Sequence, residues 1–438
     1  MKIKQWFVMI VVVILVVTAS ACIGNKDIDM EPVEIHFQSL LPENFSTDPL
    51  MKPLLDAVTD YNQLHPNMKV IVDYMDIPVG TAFSDTRQNL IKRLESDTAP
   101  DIVDTTAVNI QIAESKGLLR DLLPLVTQEL DIPQQVLDYG MINGKLLSLP
   151  FGAHPSAIFF NKELFDEAKI PYPEDDWTWD QFRDISKKMK DHESMLPYDF
   201  TMLDMLLSST GNGVLSPDGT TSVGYLDSPE AVRMLQWLNA SYHDDANGVV
   251  SDINDIFGGF DGLQAGMFVG GLGDHFHNFE GDNKKRLGVA PLPYFTGGQR
   301  VNPMWFSGYG ISQKSKHSEE AWEFIQYLTL EVNNHSLQLA AEYIPTSNAV
   351  AEAAGANADP TKRVYIEELK YAVQLSSGNN PFYVQAARNE ELKEIFGKLV
   401  VAKDEEIAGK LHELALKLDG ELKRLELESE KQSESVSP

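Results

Sequence analysis

The sequence predicts an α/β fold with a parallel sheet, divided among two or more lobes. Three observations predict it. Strand-like and helix-like segments alternate from residue 33 onward. The ~400 residues beyond the N-terminal region are too many for one ordinary core. No later apolar run is long enough to span a bilayer. VEIHFQSL (33–40) mixes apolar and β-prone residues and predicts the first strand. Leu54, Leu55, Val58 and Tyr61 then recur at helical spacing, and HisProAsn stops that helix before a second strand at 69–74. TRQNLIKRLES predicts a helix, and DIVDTT (101–106) a short strand.

The middle of the chain repeats this grammar. SAIFFNKELFDEA reads as strand then helix, and WTWDQFRDISKKMK starts a helix at Thr178 or Asp180. SPDGTTS reads as a hairpin turn with Asp218-Gly219 at its corner. SPEAVRMLQWLNASY is a helix with Ser228 as cap, Pro229 at its first position and Glu230 in its first turn. Ile407, Leu411, Leu414, Leu418, Leu422 and Leu425 form one apolar helical stripe expected to cover a lobe. The polar end, ESEKQSESVSP, is expected to be a disordered tail.

The N-terminus carries its own signal. Lys2 and Lys4 precede an apolar run over 6–17, small residues 18–21 follow, and then comes Cys22, the only cysteine. This is the pattern of a secretory signal. It resembles the lipobox of bacterial lipoproteins, in which the cysteine becomes the first mature residue and carries lipid, although Ala19 stands where that motif usually has leucine. Several acyl chains would anchor the protein stably. An uncleaved membrane helix is the alternative. Residues 23–32 (IGNKDIDMEP) then read as a tether. The formal net charge of −29 repels phosphate backbones, so nucleic acid is not an expected partner.

Enzyme signatures are missing. TrpPheSerGlyTyrGly lacks the first glycine of a nucleophile elbow, and His192-Glu193 has no second zincin histidine. GGLGDHF fits neither a dinucleotide nor a phosphate-loop fingerprint, and 251–258 misses calcium-loop spacing. His275 and His277 would share one face of a strand, but a zinc site needs more ligands than the sequence nearby clearly supplies. No cofactor, no metal and no covalent chemistry are expected.

The order of segments is similar to that of the family 1 extracellular solute-binding proteins, the ligand-capturing subunits of ABC importers, and to their carbohydrate-binding branch. The pieces that carry the resemblance are YNQLHPNMKVIVDYMD, APDIVDTTAVNIQIAESKGLLRDLLPL, LPFGAHPSAIFFNKELFDEAKI with PEDDWTWDQF, SPEAVRMLQWL, FDGLQAGMFVGG, LGVAPLP, GYGISQKSKHSEEAWEFIQYLT and EYIPTSNAV. The resemblance implies a two-lobed, type II binding-protein fold with a cleft between lobes joined by crossing hinge segments. It implies a signal over 1–22, lobe one over 33–149 and 287–332, and lobe two over 151–284 and 335–428, with the tail at 429–438. The crossings would lie near Pro150-Phe151, Leu287 and Glu331. The implied partners are a carbohydrate, expected to be an oligosaccharide, an ABC permease and the membrane through the lipid, with the protein a monomer on the outer face of the cell membrane. A non-sugar solute, or sugar sensing without transport, is the alternative.

A sugar cleft needs polar side chains at strand ends and an exposed aromatic ring to lie against apolar C–H faces. Loops after strands supply Gln38, Ser39, Glu43, Thr105 and Thr106, with His154 beside the first crossing. Later segments supply Asp274, His275, Trp305, Ser307 and Tyr343. Each has a structural alternative. Thr105 and Thr106 can cap a helix, Asp274 and His275 can satisfy turn amides, and Trp305 can pack. Trp179 is expected in the core, Trp237 and Trp322 on buried helix faces, and Trp177 is open between core and cleft.

Overall fold

The computed structural model describes residues 32–39, 51–74, 83–105, 110–189, 194–196, 200–244, 266–271, 285–340 and 343–435. Twelve strands lie in these segments. They are β1 (Val33–Gln38), β2 (Met68–Asp73), β3 (Ile102–Asp104), β4 (Met141–Ile142), β5 (Lys145–Leu146) and β6 (Leu149–Asn161). Then come β7 (Ser194–Met195), β8 (Met267–Gly271), β9 (Leu287–Ala290), β10 (Asn302–Ile311), β11 (Ile344–Pro345) and β12 (Ala372–Val373). All but the β4–β5 hairpin join one sheet of order β2-β1-β3-β10-β6-β8-β7, with β9 and β11 on β6 and β12 on β10.

The first strands form because their alternate residues have a core to enter. Ile35 and Phe37 of β1 are fully buried, and β1 pairs in parallel with both β2 and β3. The helix Met51–Leu64 lays Leu54, Ala57, Val58 and Tyr61 on that face. Its Asn62 guards the edge of the sheet: the side chain donates to the Val70 carbonyl at 3.0 Å and accepts from the Val70 amide at 2.7 Å. The helix Phe83–Glu95 sends Leu90 and Leu94 to a smaller cluster with Val103, Leu119 and Leu147.

Two long strands carry the chain between lobes. β6 has 13 residues, about 40 Å at the usual rise. Its first half pairs antiparallel with β10, from Leu149↔Tyr309 to Pro155↔Met304. Its second half pairs with β8, from Ser156↔Gly271 onward, and with β9 from Ile158↔Ala290. The partner therefore changes between Pro155 and Ser156. Ile158 and Phe160 point into a second core, while Ala157 and Phe159 belong to the first. That second core gathers the helices Trp179–Lys188, Phe200–Ser208, Pro229–Asp244 and Glu390–Lys398. Between β9 and β10 the chain stays with the second lobe: Gln299 N donates to the Ser209 carbonyl, and Trp177 Nε1 to that of Pro291. The helix Asn334–Leu339 packs on the helix Met51–Leu64.

Capping follows the sequence. Asn161 accepts from Glu163 N and Leu164 N. Thr178 and Gln181 form a reciprocal capping box. Ser228 Oγ accepts from Ala231 N at 3.1 Å. All six stripe residues from Ile407 to Leu425 are buried in the second core. Two expectations change. Asp218-Gly219 makes a tight turn, with Gly219 at φ 72°, but no strands flank it. The residues beyond it are held by side chains instead, since Asp419 accepts from Thr221 Oγ1 and from Ser222 N and Oγ. The helix Asp404–Ser435 also enters the stretch expected as a tail and is helical to Ser435. Arg424 paired with Glu421 and Glu428 on its surface, and the Glu- and Lys-rich sequence beyond, favour that extension.

Candidate functional site

The change of partner along β6 gathers one row of side chains where the lobes meet, with Trp305 exposed, His154 and Tyr343 partly covered and Ser307 buried. On β10, Met304 is buried in the first core and Phe306 packs against it, so Trp305 and Ser307 fall on the opposite face. Trp305 is 68% exposed. Antiparallel register sets Trp305 beside His154 of β6, and the β11–β6 register sets Tyr343 on the other side of His154. The His154 and Tyr343 rings meet edge to face at 4.6 Å. His154 Nε2 lies 3.3 Å from Ser307 Oγ. Gly152 makes the row possible, because a Cβ there would come within 3.0 Å of the Tyr343 ring. A register shift follows between Ser307 and Gly308, and a Cβ at Gly308 would fall 2.3 Å from Ser148 Oγ.

Electrostatically this row is neutral near pH 7. Burial pushes the His154 pKa down to about 4, so its imidazole offers one donor and one acceptor without charge. Beside the row, Tyr309 is buried and stacks on Phe151 with ring centroids 4.5 Å apart. Burial and the nearby Asp104 both raise the Tyr309 pKa. Asp104 ends β3, is partly exposed and pairs with Tyr309 across the sheet.

The structure thus brings together His154, Trp305, Ser307 and Tyr343. Thr105 lies close by, buried, with its hydroxyl on Ser148 Oγ and its amide on the Gly308 carbonyl at 2.8 Å. Gln38 and Ser39 are buried at the end of β1 in a separate cluster. Gln38 Nε2 donates to the Ser39 and Asp73 carbonyls, and Ser39 Oγ lies 3.5 Å from Met51 Sδ. Glu43, Thr106, Asp274, His275 and Cys22 lie outside the described residues. Sequence reasoning passed over Asp104 and over Phe151, whose ring meets that of Tyr343 edge to face at 5.7 Å. The signal for Asp104 was available: it is the charged residue that ends an otherwise apolar strand, immediately before Thr105.

Two lobes joined by crossing strands, with an uncovered aromatic ring at their junction, define a two-lobed binding protein. The model of the bacterial extracellular solute-binding protein family matches residues 46–334, and the chain belongs to that family. Among relatives, a galactooligosaccharide-binding protein of Bacillus subtilis is 22% identical over 335 residues, 72% of this chain and 75% of that protein. An uncharacterized lipoprotein in the oleD 5'region of Streptomyces antibioticus is 26% identical over 162 residues, 36% of this chain, and the match spans only 34% of that relative. The structure of the sugar-binding protein MalE from Xanthomonas citri superposes with a TM-score of 0.73 at 15% identity, covering 91% of this chain and 99% of that one. The shared architecture is the two-lobed solute-binding fold, and its members are binding proteins. Among the described residues no helix is long and apolar enough to cross a membrane.

Proposed function

We propose that this chain captures a neutral carbohydrate, an oligosaccharide, between its lobes and delivers it to an ABC permease while anchored outside the cell by lipid on Cys22. The observation that carries the reading is the exposed Trp305 ring, set beside uncharged His154 and Tyr343 where the lobes change. Aromatic faces suit the apolar C–H surface of a sugar ring, and neutral donors and acceptors suit hydroxyls. The ligand set is centred on His154, Trp305, Ser307 and Tyr343, with Thr105 and Asp104 as the adjoining lobe-one groups. Glu43, Thr106, Asp274 and His275 complete the proposed set, whereas Gln38 and Ser39 are buried at the end of β1, where the Gln38 amide is bonded to the chain itself. Lobe one is read as 33–149 with the later crossing segment, and lobe two as the helical region that follows β6 together with the C-terminal helices. Binding leaves the ligand chemically unchanged and favours a closed state in which both lobes touch it. The names of the oligosaccharide-binding relative, the sugar-binding structural neighbour and the lipoprotein relative support this reading.

A panel of galacto-, arabino- and maltooligosaccharides tested by thermal shift and calorimetry checks it. A ligand at ~100 times its Kd is expected to add ~2.7 kcal/mol of stability, and mass spectrometry should recover it intact. The reading fails if no saccharide stabilises the protein while a polyamine or a metal ion does. Palmitate labelling that survives Cys22→Ala would refute the anchor.

A further inference from the structure

Behind the Trp305 row lies a buried charged cluster that the binding site does not use. Asn302, fully buried, opens β10, and its amide side chain imitates a ladder rung. Its Nδ2 donates to the Ser156 carbonyl at 2.7 Å, and its Oδ1 accepts from the Ser156 amide at 3.1 Å. Ser156 is the residue at which β6 exchanges its β10 partner for β8. The same Asn302 Nδ2 donates to Glu368 Oε2 at 2.7 Å, and Arg300 Nη2 donates to Glu368 Oε1 at 2.7 Å. Glu368 is fully buried at the end of the helix Pro360–Glu368, which packs on β6 and β9. Arg300 reaches further: Nη1 donates to the Asp175 carbonyl at 3.0 Å, in the loop before Trp177, and its guanidinium lies 4.3 Å over the Tyr371 ring. After Tyr371, β12 pairs back onto Asn302 itself.

A core strand junction needs no charge. Burying the Glu368 carboxylate and partly covering the Arg300 guanidinium here costs desolvation, and apolar residues of similar volume would give comparable stability. What the charged cluster adds is geometry, because a planar fork and an amide fix distances and angles that apolar packing leaves adjustable. The cluster ties together both crossing strands, the loop of lobe two and the segment after the helix Pro360–Glu368. All of these meet at the residue where the two halves of β6 part company.

We propose that Arg300, Glu368 and Asn302 are positioning residues of the binding site, fixing the lobe angle at which Trp305 is presented. The proposal rests on the reading of Trp305 as part of the ligand site, but the fixing of the angle does not require knowing the ligand. Trp305 lies three residues along β10 from Asn302, and its cross-strand neighbour His154 lies two residues from Ser156. A slip or rotation at the Asn302–Ser156 rung therefore moves both members of the row. Lys at position 300 would keep the charge but cannot reach Glu368 and the Asp175 carbonyl with one fork.

The test uses the full chain without ligand, as Arg300→Lys and as the double variant Arg300→Met with Glu368→Met. Amide hydrogen exchange at 152–158 and 302–307 is expected to rise at least tenfold in the folded variants. Exchange in the β1–β2 ladder should stay unchanged, and small-angle scattering should report a shifted or broadened interlobe distance. A structural role alone would instead raise exchange throughout and lower the melting temperature without a local pattern, and that result overturns the proposal. So do folded variants with wild-type exchange at the junction and wild-type scattering. If the double variant does not fold, Arg300→Lys decides. Saccharide binding is measured separately on Trp305→Ala: unchanged affinity there sinks the site reading, whereas the exchange result judges the positioning cluster.

Discussion

Trp179 and Trp305 both lie a few residues from a proline, and their fates are opposite. Trp179 begins a helix, is 2% exposed, and packs on Phe182 and Trp237 at 5.6 and 5.9 Å. Its neighbour Trp177 is equally covered and donates from Nε1 to the Pro291 carbonyl at 2.8 Å. Trp305 lies on a strand whose other face already holds Met304 and Phe306, so alternation leaves its ring outside. The element beneath a tryptophan, rather than its local sequence, decides whether it serves the core or a surface.

Truncation in the core should separate the two tryptophans most. Trp179→Ala should cost about 3–5 kcal/mol in denaturant unfolding, with Trp177→Ala close behind because a buried carbonyl also loses its donor. A cost under about 1 kcal/mol for either would mean that this region is not the packed lobe described here. Next in size is pH. Burial holds His154 and His335 down to about 4, below the ordinary histidine value of 6.5. A depressed folded pKa leaves stability intact above pH 6.5 and removes it as pH falls toward 4, because the unfolded chain takes up protons first. Each histidine should contribute about 3 kcal/mol to that loss. His335→Phe should flatten the stability profile between pH 6.5 and 4, and an unaltered slope would contradict the burial argument.

Smaller still is Gly152→Ala. The added methyl group meets the Tyr343 ring and should cost about 1 kcal/mol. Its effect on ligand affinity should exceed its effect on stability, since the displaced ring belongs to the row. Smallest is Trp305→Ala, expected to change unfolding by less than about 0.5 kcal/mol while weakening saccharide binding at least tenfold. Calorimetry and denaturation on the same preparation separate the two quantities. Equal losses in both would return Trp305 to the class of Trp179.

Much of the fold was legible because its signals are local. Apolar spacing placed the stripe from Ile407 to Leu425, Thr178 and Asn161 sit where their helices begin, and alternating segments gave the α/β class. Trp305, His154, Ser307 and Tyr343 were legible as polar or aromatic residues beside crossings. Their assembly into one row was not, since it depends on the registers of β6 with β10 and β11, which pair residues 149 or more apart. The Arg300–Glu368 pair was hidden for the same reason: 68 residues separate two charges that elsewhere in so acidic a chain would be solvated. Gln38 looked like a cleft residue because it ends a strand, yet its amide completes hydrogen bonds with Asp73 and Ser39.

The outward placement of Trp305 has an optical consequence. Trp177, Trp179 and Trp322 are buried and Trp237 is partly covered, so among the described residues Trp305 is the indole open to a collisional quencher. Among the described tryptophans, the acrylamide-sensitive, red-shifted share of the emission should therefore come chiefly from this ring. A bound molecule that covers it would blue-shift and protect that share, giving the protein a label-free fluorescent readout of its own occupancy.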